Sequence, residues 1–396
     1  MKKQLYSLCL CLFLFSCNPV RKILEGGKLR ETSFVEKIPF TFDFGLPIIK
    51  VEIEGKSYNF LFDTGAPTVI SPELQALLKL EPKTVGKTSD SQGNSSQQEF
   101  VKIPSMKTGN LNFENIGATV VDMNKVFEFK CMNLDGIIGA NQMEKAIWQI
   151  DYRNNIITAS NSISNFNIPE HSELLKFTPK KGQKTPKVMV KIGNKAINTT
   201  FDTGATTDFT FPFEYYKSEI EFLTGTEAVG SSSSGIYGTN KGAITTYKKI
   251  PKFTIENIQI ANQIATFNEG SSAIIGNSFF KNYRLILDWK ENQIYMIKEV
   301  EIKNATLETF GIGLRYIDNQ PTIAKIFKGA DADKSGLQLG DKIIAIDDLD
   351  VSKLTETEAC NYTFNNILSG KESRNITVLR AGNKLVFNLK KTIILN

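Results

Sequence analysis

The pentapeptide Phe62-Asp63-Thr64-Gly65-Ala66 recurs unchanged at Phe201-Asp202-Thr203-Gly204-Ala205, 139 positions later. A single Asp-Thr-Gly says little, because Asp and Gly are ordinary turn residues. Here each copy is followed by an Ile-Ile-Gly, at Ile137-Ile138-Gly139 and Ile274-Ile275-Gly276, and then by Ile150-Asp151-Tyr152 and Leu287-Asp288-Trp289. Members of each later pair lie 137 positions apart. An alternating apolar stretch precedes each aspartate, Ile48 to Ile53 and Val188 to Ile192, the pattern of a half-buried strand. A polar, glycine-rich segment follows each, Val85 to Ser96 and Val229 to Gly242. A period this long marks a duplicated domain, not a solenoid of short repeats. The duplication predicts two homologous lobes that each bring one aspartate to a shared site. The rival explanation is a duplicated β-domain without activity, since a motif stays a hypothesis until its geometry is seen.

Amide hydrolysis without a metal or a covalent intermediate needs one group to deprotonate water and another to polarise the carbonyl. Two carboxylates held about 3 Å apart cannot both ionise, so one serves as base and the other as acid. Asp63 and Asp202 are the candidate pair. Gly65 and Gly204 allow the tight turn that exposes each carboxylate. The hydroxyls of Thr64 and Thr203 are expected to bond across to the opposite lobe and lock the two loops. The Ile-Ile-Gly triplets supply an apolar wall behind them. Such a site needs no cofactor and no metal.

Composition removes other chemistries. The 396 residues carry a formal charge of +5 and no concentrated basic block, so nucleic acid is not an expected partner. The sole histidine, His171, lies in a polar stretch and reads as a solvated linker residue, which argues against Ser-His-Asp, Cys-His and His/Cys zinc sites. Of five cysteines, Cys9, Cys11 and Cys17 sit in the leader; Cys131 and Cys360 fall in different domains, so no disulfide framework is expected.

The start of the chain reads as an export signal. Met1-Lys2-Lys3 is a short positive region, and Leu5 to Ser16 is an apolar run too short to span a bilayer comfortably. The run ends at Leu14-Phe15-Ser16-Cys17, which resembles a bacterial lipobox, cut before a cysteine whose thiol is lipidated. Residues 1–16 are thus expected to be a lipoprotein signal peptide and 17–38 a charged tether. A lipid anchor at Cys17 would hold the exported protein to the membrane of the cell envelope, on its periplasmic or cell-surface face.

Beyond it, 39–165 reads as the first lobe and 175–299 as the second, joined by a link at 166–174. Strand signals in the second lobe include Ile192 to Phe201, Ile250 to Ile260 and Arg284 to Ile297. Short strands with few helical patterns predict barrel-like, all-β lobes. Helices are expected at Pro72–Leu80, Asn141–Lys145 and Asn277–Lys281. A third unit, 304–393, opens with Phe310-Gly311-Ile312-Gly313-Leu314 and contains a capping box, Thr355 with Glu358, for a helix running to about Leu368.

The doubled Phe-Asp-Thr-Gly-Ala with doubled Ile-Ile-Gly resembles the aspartic peptidases, and the Ala after Gly is more similar to the retropepsin branch than to the pepsin branch. The resemblance implies a mainly β fold: two tandem retropepsin-like β-barrel lobes forming a pepsin-like bilobal protease. It implies an endopeptidase acting on peptide or protein substrates, with Asp63 and Asp202 catalytic and Thr64 and Thr203 in support. In that family a glycine-rich hairpin closes over the substrate, and Ser89 to Ser96 and Ser231 to Gly242 are the matching segments. Ile236-Tyr237-Gly238-Thr239 is similar to the flap tyrosine motif of pepsins but sits in the second lobe, so the role of Tyr237 stays open beside that of a plain loop aromatic. The third unit resembles a PDZ domain, with Gly311, Ile312, Gly313 and Leu314 as the loop that binds the carboxylate of C-terminal peptides. A PDZ unit that only packs against the protease is the alternative. One chain carrying both lobes is expected to act as a monomer. A catalytically inactive peptide-binding lipoprotein on this fold is the competing function.

Overall fold

The computed structural model describes residues 19–239 and 244–396; the signal run 1–16 and Cys17 lie outside the described residues. In the first half, Ile48–Ile53 and Lys56–Asp63 form a hairpin turned at Glu54 and Gly55, both with positive φ. The alternation Ile49, Val51, Ile53 inward and Lys50, Glu52 outward fixes which face meets the core. Lys56–Asp63 runs parallel to Gly136–Gly139, which sets Asp63 opposite Gly139. Val69–Ile70 lies between Gly136–Gly139 and the end of Leu111–Val120. The meander Thr84–Ser89, Ser95–Thr108, Leu111–Val120 completes the sheet, and a pairing of Val51 and Glu52 with Thr108 and Lys107 closes it on itself.

The second half follows the same order. Pro186–Ile192 and Lys195–Phe201 form a hairpin, Lys195–Phe201 runs parallel to Ile274–Ile275, and Phe209–Pro212 takes the place of Val69–Ile70. The meander is Gly225–Gly230, Ile244–Ile255, Ile258–Asn268, closed by Val190 and Lys191 against Ile255 and Thr254. A sheet ordered Glu173–Lys176, Gln293–Lys298, Tyr283–Asp288, Ile147–Asp151, Ile156–Ser160, Val35–Thr41 joins the halves, with Ile147–Asp151 antiparallel to Arg284–Asp288 at its centre. Aromatic rings fill the interior: Phe62 meets Trp148 edge-on at 5.1 Å, and Phe201 stacks on Phe280 at 3.9 Å. Cutting any one of these buried rings to alanine costs about 3–5 kcal/mol.

The C-terminal unit has its own apolar core, which includes Phe310, Ile323, Ile343, Ile376, Val378 and Leu389. Its strands Ile312–Ile317, Gln320–Phe327, Lys342–Ile346, Ser373–Arg380 and Asn383–Lys390 pair antiparallel. The helix Glu356–Phe364 begins at a capping box in which Thr355 Oγ1 accepts from Glu358 N and the Glu358 carboxylate accepts from Thr355 N. Fold class follows: the molecule is mainly β, with barrel-like sheets.

Four expectations need correction. The supposed tether is folded from Pro19 onward: Pro19–Leu24 is helical, and Ile23 and Leu24 are buried against Phe100 because Gly117 leaves room for the Ile23 carbonyl. The helix begun at Glu356 stops at Phe364, not Leu368, because Asn365 and Asn366 leave helical geometry. The apolar runs Ile192–Phe201, Ile250–Ile260 and Arg284–Ile297 each cross a hairpin turn, reversed at Gly193, Glu256 and Asn292, since both arms of a hairpin bury apolar residues. Finally, Cys131 and Cys360 form a disulfide. The pair was not legible because it depends on how the C-terminal unit sits on the first half: Phe127–Met132 packs beside Glu356–Phe364.

Candidate active site

Asp63 ends its strand and Asp202 directly follows its own, each strand paired with an Ile-Ile segment, so both are delivered to the seam between the halves. Thr64 N donates to Thr203 Oγ1 (3.0 Å), and Thr203 N to Thr64 Oγ1 (3.0 Å). Thr64 Oγ1 in turn donates to the Phe201 carbonyl (2.5 Å), and Thr203 Oγ1 to the Phe62 carbonyl (2.7 Å). Both threonines are fully buried, and each hydroxyl acts as donor and acceptor at once. Leaving such groups unpaired would cost about 1–3 kcal/mol apiece, so these four bonds hold the loops in one arrangement. A Cβ on Gly65 would strike the Asp202 carboxyl, and one on Gly204 the Asp63 carboxyl. Glycine at these two positions lets the opposite carboxylate approach.

The two carboxyls face each other, each lying where a Cβ on the opposite loop's glycine would be, and both are pushed above the ordinary aspartate range by burial. The effect is larger at Asp63, which is 8 % exposed and also feels the charge of Asp202; Asp202 is half-buried, and Lys187 beside it favours its ionised form. Gly65 N (2.6 Å) and Ala66 N (3.1 Å) donate to Asp63 Oδ1, while Gly204 N (2.8 Å) donates to Asp202 Oδ1. Among the described residues, the donors reaching the pair from outside are main-chain N–H groups; no hydroxyl does so.

Sequence reading missed the next layer. Asn141 Oδ1 accepts from Thr68 N (2.7 Å), and its amide donates to the Leu24 and Gly117 carbonyls. Asn277 Nδ2 donates to the Thr203 carbonyl (2.6 Å), with Tyr152 OH donating to its Oδ1. An asparagine just after each Ile-Ile-Gly was a visible signal, obscured because Ala140 offsets the first by one place. Lys180, exposed, and Lys187, half-buried, line the cleft and make no ion pair among the described residues; desolvation moves both ammonium pKa values below the ordinary lysine range. Lys187 Nζ donates to Thr200 Oγ1 (2.5 Å).

Over the aspartates, the tips of the two glycine-rich segments meet. Asp90 closes the first with an Asx turn, its Oδ1 accepting from Gln92 N and Asn94 N, and its Oδ2 accepts from Tyr237 N of the other tip. Tyr237 OH lies 2.5 Å from Thr88 Oγ1. Tyr237 therefore latches one tip to the other, which gives it a structural role beyond that of a loop aromatic. Below the tips runs a cleft of about 1200 Å³ that contains Asp63 and Asp202. Gly311–Leu314 is not at the aspartates but lies farther along: Ile312, Gly313 and Leu314 line the same cleft. His171 is exposed.

Comparison with known families agrees with this geometry. Residues 49–141, which include Asp63 but end before Asp202, match the aspartyl protease family; residues 299–363 match the PDZ domain. No curated protein matches the chain. An aspartyl protease domain and a PDZ domain are both present in this protein.

Proposed function

We propose that the protein is an aspartic endopeptidase built from two tandem lobes in one chain, with Asp63 and Asp202 sharing one proton and activating water. The observation that carries this reading is the pair of carboxyls that begin the two Asp-Thr-Gly loops, each set against the other loop's glycine and held there by the crossed threonine bonds. Asp202, ionised beside Lys187, takes a proton from water; Asp63 donates to the scissile carbonyl oxygen. The water oxygen bonds to the carbonyl carbon, the C–N bond breaks, and the leaving nitrogen takes up a proton, giving a new carboxylate and a free amine. No cofactor enters these steps. The PDZ domain binds peptide and contributes to substrate choice.

The decisive experiment is hydrolysis of an unstructured protein substrate by wild type and by Asp63→Asn. Cleavage by the first and none by the second supports the reading. Binding of peptides without any cleavage favours the inactive peptide-binding alternative.

The proposal extends to location. The lipobox-like Leu14-Phe15-Ser16-Cys17 supports an exported protein anchored through a lipid on Cys17 and working as a monomer at the cell envelope; among the described residues no helix is long and apolar enough to cross a membrane. Replacing Cys17 by serine should release the protein from the membrane fraction. Retention of the variant there would remove the anchor.

A further inference from the structure

The PDZ groove does not face away from the aspartates. The strand Ile312–Ile317 and the segment after helix Glu356–Phe364 form the far wall of the cleft that holds Asp63 and Asp202, with Leu314, Phe364 and Leu368 along it. The stretch between is apolar: Phe44 packs on Phe364 at 4.2 Å, and Phe129, Met132 and Ile236 belong to the cluster around them. The walls are also fastened together. Cys131 is bonded to Cys360, Lys130 pairs with Glu356, Arg315 pairs with Glu128, and Phe127 stacks on Tyr316 at 6.0 Å.

Two polar groups in this wall lack the partner that their burial calls for. Lys325, directly opposite Gly313 in the strand ladder, is 8 % exposed and has no acidic partner among the described residues; its ammonium rests on the hydroxyl and ring of Tyr247. A buried cation with no counter-charge suits an anionic occupant. Tyr316, at the other end of the strand, is 6 % exposed with its hydroxyl unpartnered among the described residues. The hydroxyl suits a main-chain amide passing it.

We infer that one substrate chain occupies both sites at once: its C-terminal carboxylate sits at the Phe310–Gly313 loop beside Lys325, and an upstream peptide bond lies at the aspartates. The chain would add as a strand alongside Ile312–Ile317, pass Tyr316 and enter the cleft between Phe129 and Phe364. This rests on the endopeptidase reading and deepens it. The polarity is fixed: the segment released with a new amine is the one held in the groove. Because the groove is tied covalently to the first half, the protein trims C-terminal tails to a set length. The bond that is cut is counted from the chain end, and one residue of an extended strand changes the reach by ~3.3 Å.

The test uses the full-length protein and four peptides of one scissile sequence: free acid or C-terminal amide, each with or without two residues inserted before the tail. The free acids should be cut at least about tenfold better in kcat/KM than the amides, ~1.4 kcal/mol. Mass spectrometry should place the cut at a constant distance from the carboxyl end after insertion. Equal rates for acid and amide, or a cut that stays with the sequence, would overturn the inference while leaving hydrolysis established. A parallel set carrying a non-cleavable hydroxyethylene isostere reads occupancy without turnover. If no peptide is cut, the endopeptidase reading fails, and isostere affinities still decide the shared occupancy. Dependence on both tail carboxylate and spacer length upholds it, and dependence on neither overturns it.

Discussion

The hairpin Thr84–Thr108 in the first half and its counterpart, Gly225–Ile255, in the second occupy equivalent places but end differently. Thr84–Ser89 is the last strand of its sheet, with one edge unpaired among the described residues. Gly225–Gly230 is not: Ala228, Val229 and Gly230 pair with Phe327, Ile326 and Lys325, so the second sheet continues into the PDZ domain. The two halves carry equivalent strands, and the C-terminal domain pairs with the edge of only one. The lesson concerns mobility. A strand with fewer cross-strand partners opens at lower free-energy cost, so Thr84–Ser89 should be the looser of the two strands and Gly225–Gly230 the firmer.

The halves should be least different at the aspartates, and there the largest effect is expected. Asp63→Asn and Asp202→Asn should each lower turnover by about a thousandfold or more, with the double variant little worse, because residues acting as one unit are strongly non-additive. A single variant that kept more than about a tenth of activity would separate the two aspartates and end the shared-site reading. Stability should move the other way. A carboxyl raised by burial adds stability that is complete at low pH and lost as pH rises through the folded-state value. Asp63→Asn should therefore melt higher than wild type near pH 7.5, by about 1 kcal/mol, and the advantage should vanish near pH 4.

Thr64→Val and Thr203→Val probe the same symmetry one step out. Each removes a hydroxyl that serves two partners across the seam, so each should cost about 2–4 kcal/mol in chemical denaturation. Costs that differ by more than about 2 kcal/mol would show that one half dominates the seam.

The hairpin contrast is read by hydrogen exchange. Amides of Gly225–Gly230 should exchange slowly and those of Thr84–Ser89 faster. Deleting 304–396 should raise exchange at Gly225–Gly230 towards the level of its counterpart. Cys360→Ser should cost about 2–4 kcal/mol of stability without freeing Gly225–Gly230, since the strand pairing remains. Protection of both hairpins to the same degree in wild type would dissolve the distinction.

The smallest expected effect concerns Lys187, which has no equivalent charge acting on Asp63 among the described residues. Its ammonium favours ionised Asp202, so Lys187→Met should shift the acid limb of kcat/KM to higher pH, by up to about one unit, ~1.4 kcal/mol. Alanine follows glycine in both loops, and main-chain N–H groups alone serve the pair, so the wild-type optimum should fall at about pH 4.5–6.5. An optimum near pH 2 would require another donor.

What could be read from the chain was what is local or repeated. The alternation Ile48–Ile53, the Thr355–Glu358 cap and the doubled loops each carry their cause within a few residues. The Cys131–Cys360 bond, the pairing of Gly225–Gly230 with Gln320–Phe327, and the docking of Pro19–Leu24 on the first half do not. They depend on which surfaces meet after each unit has folded, and no spacing in one sequence encodes that. The Tyr237–Thr88 latch is intermediate: the segments were recognisable, but their meeting depends on both hairpins bending over one cleft.

The crossed threonine bonds also order events in time. Thr64 and Phe201 are 137 residues apart, and their bond forms only when both halves have come together. Closing so long a loop is among the slower steps of folding. A chain with only its first half folded holds a lone aspartate and no shared proton. The paired site therefore exists only when both halves are in place, and a chain with one half unfolded presents no facing carboxyls.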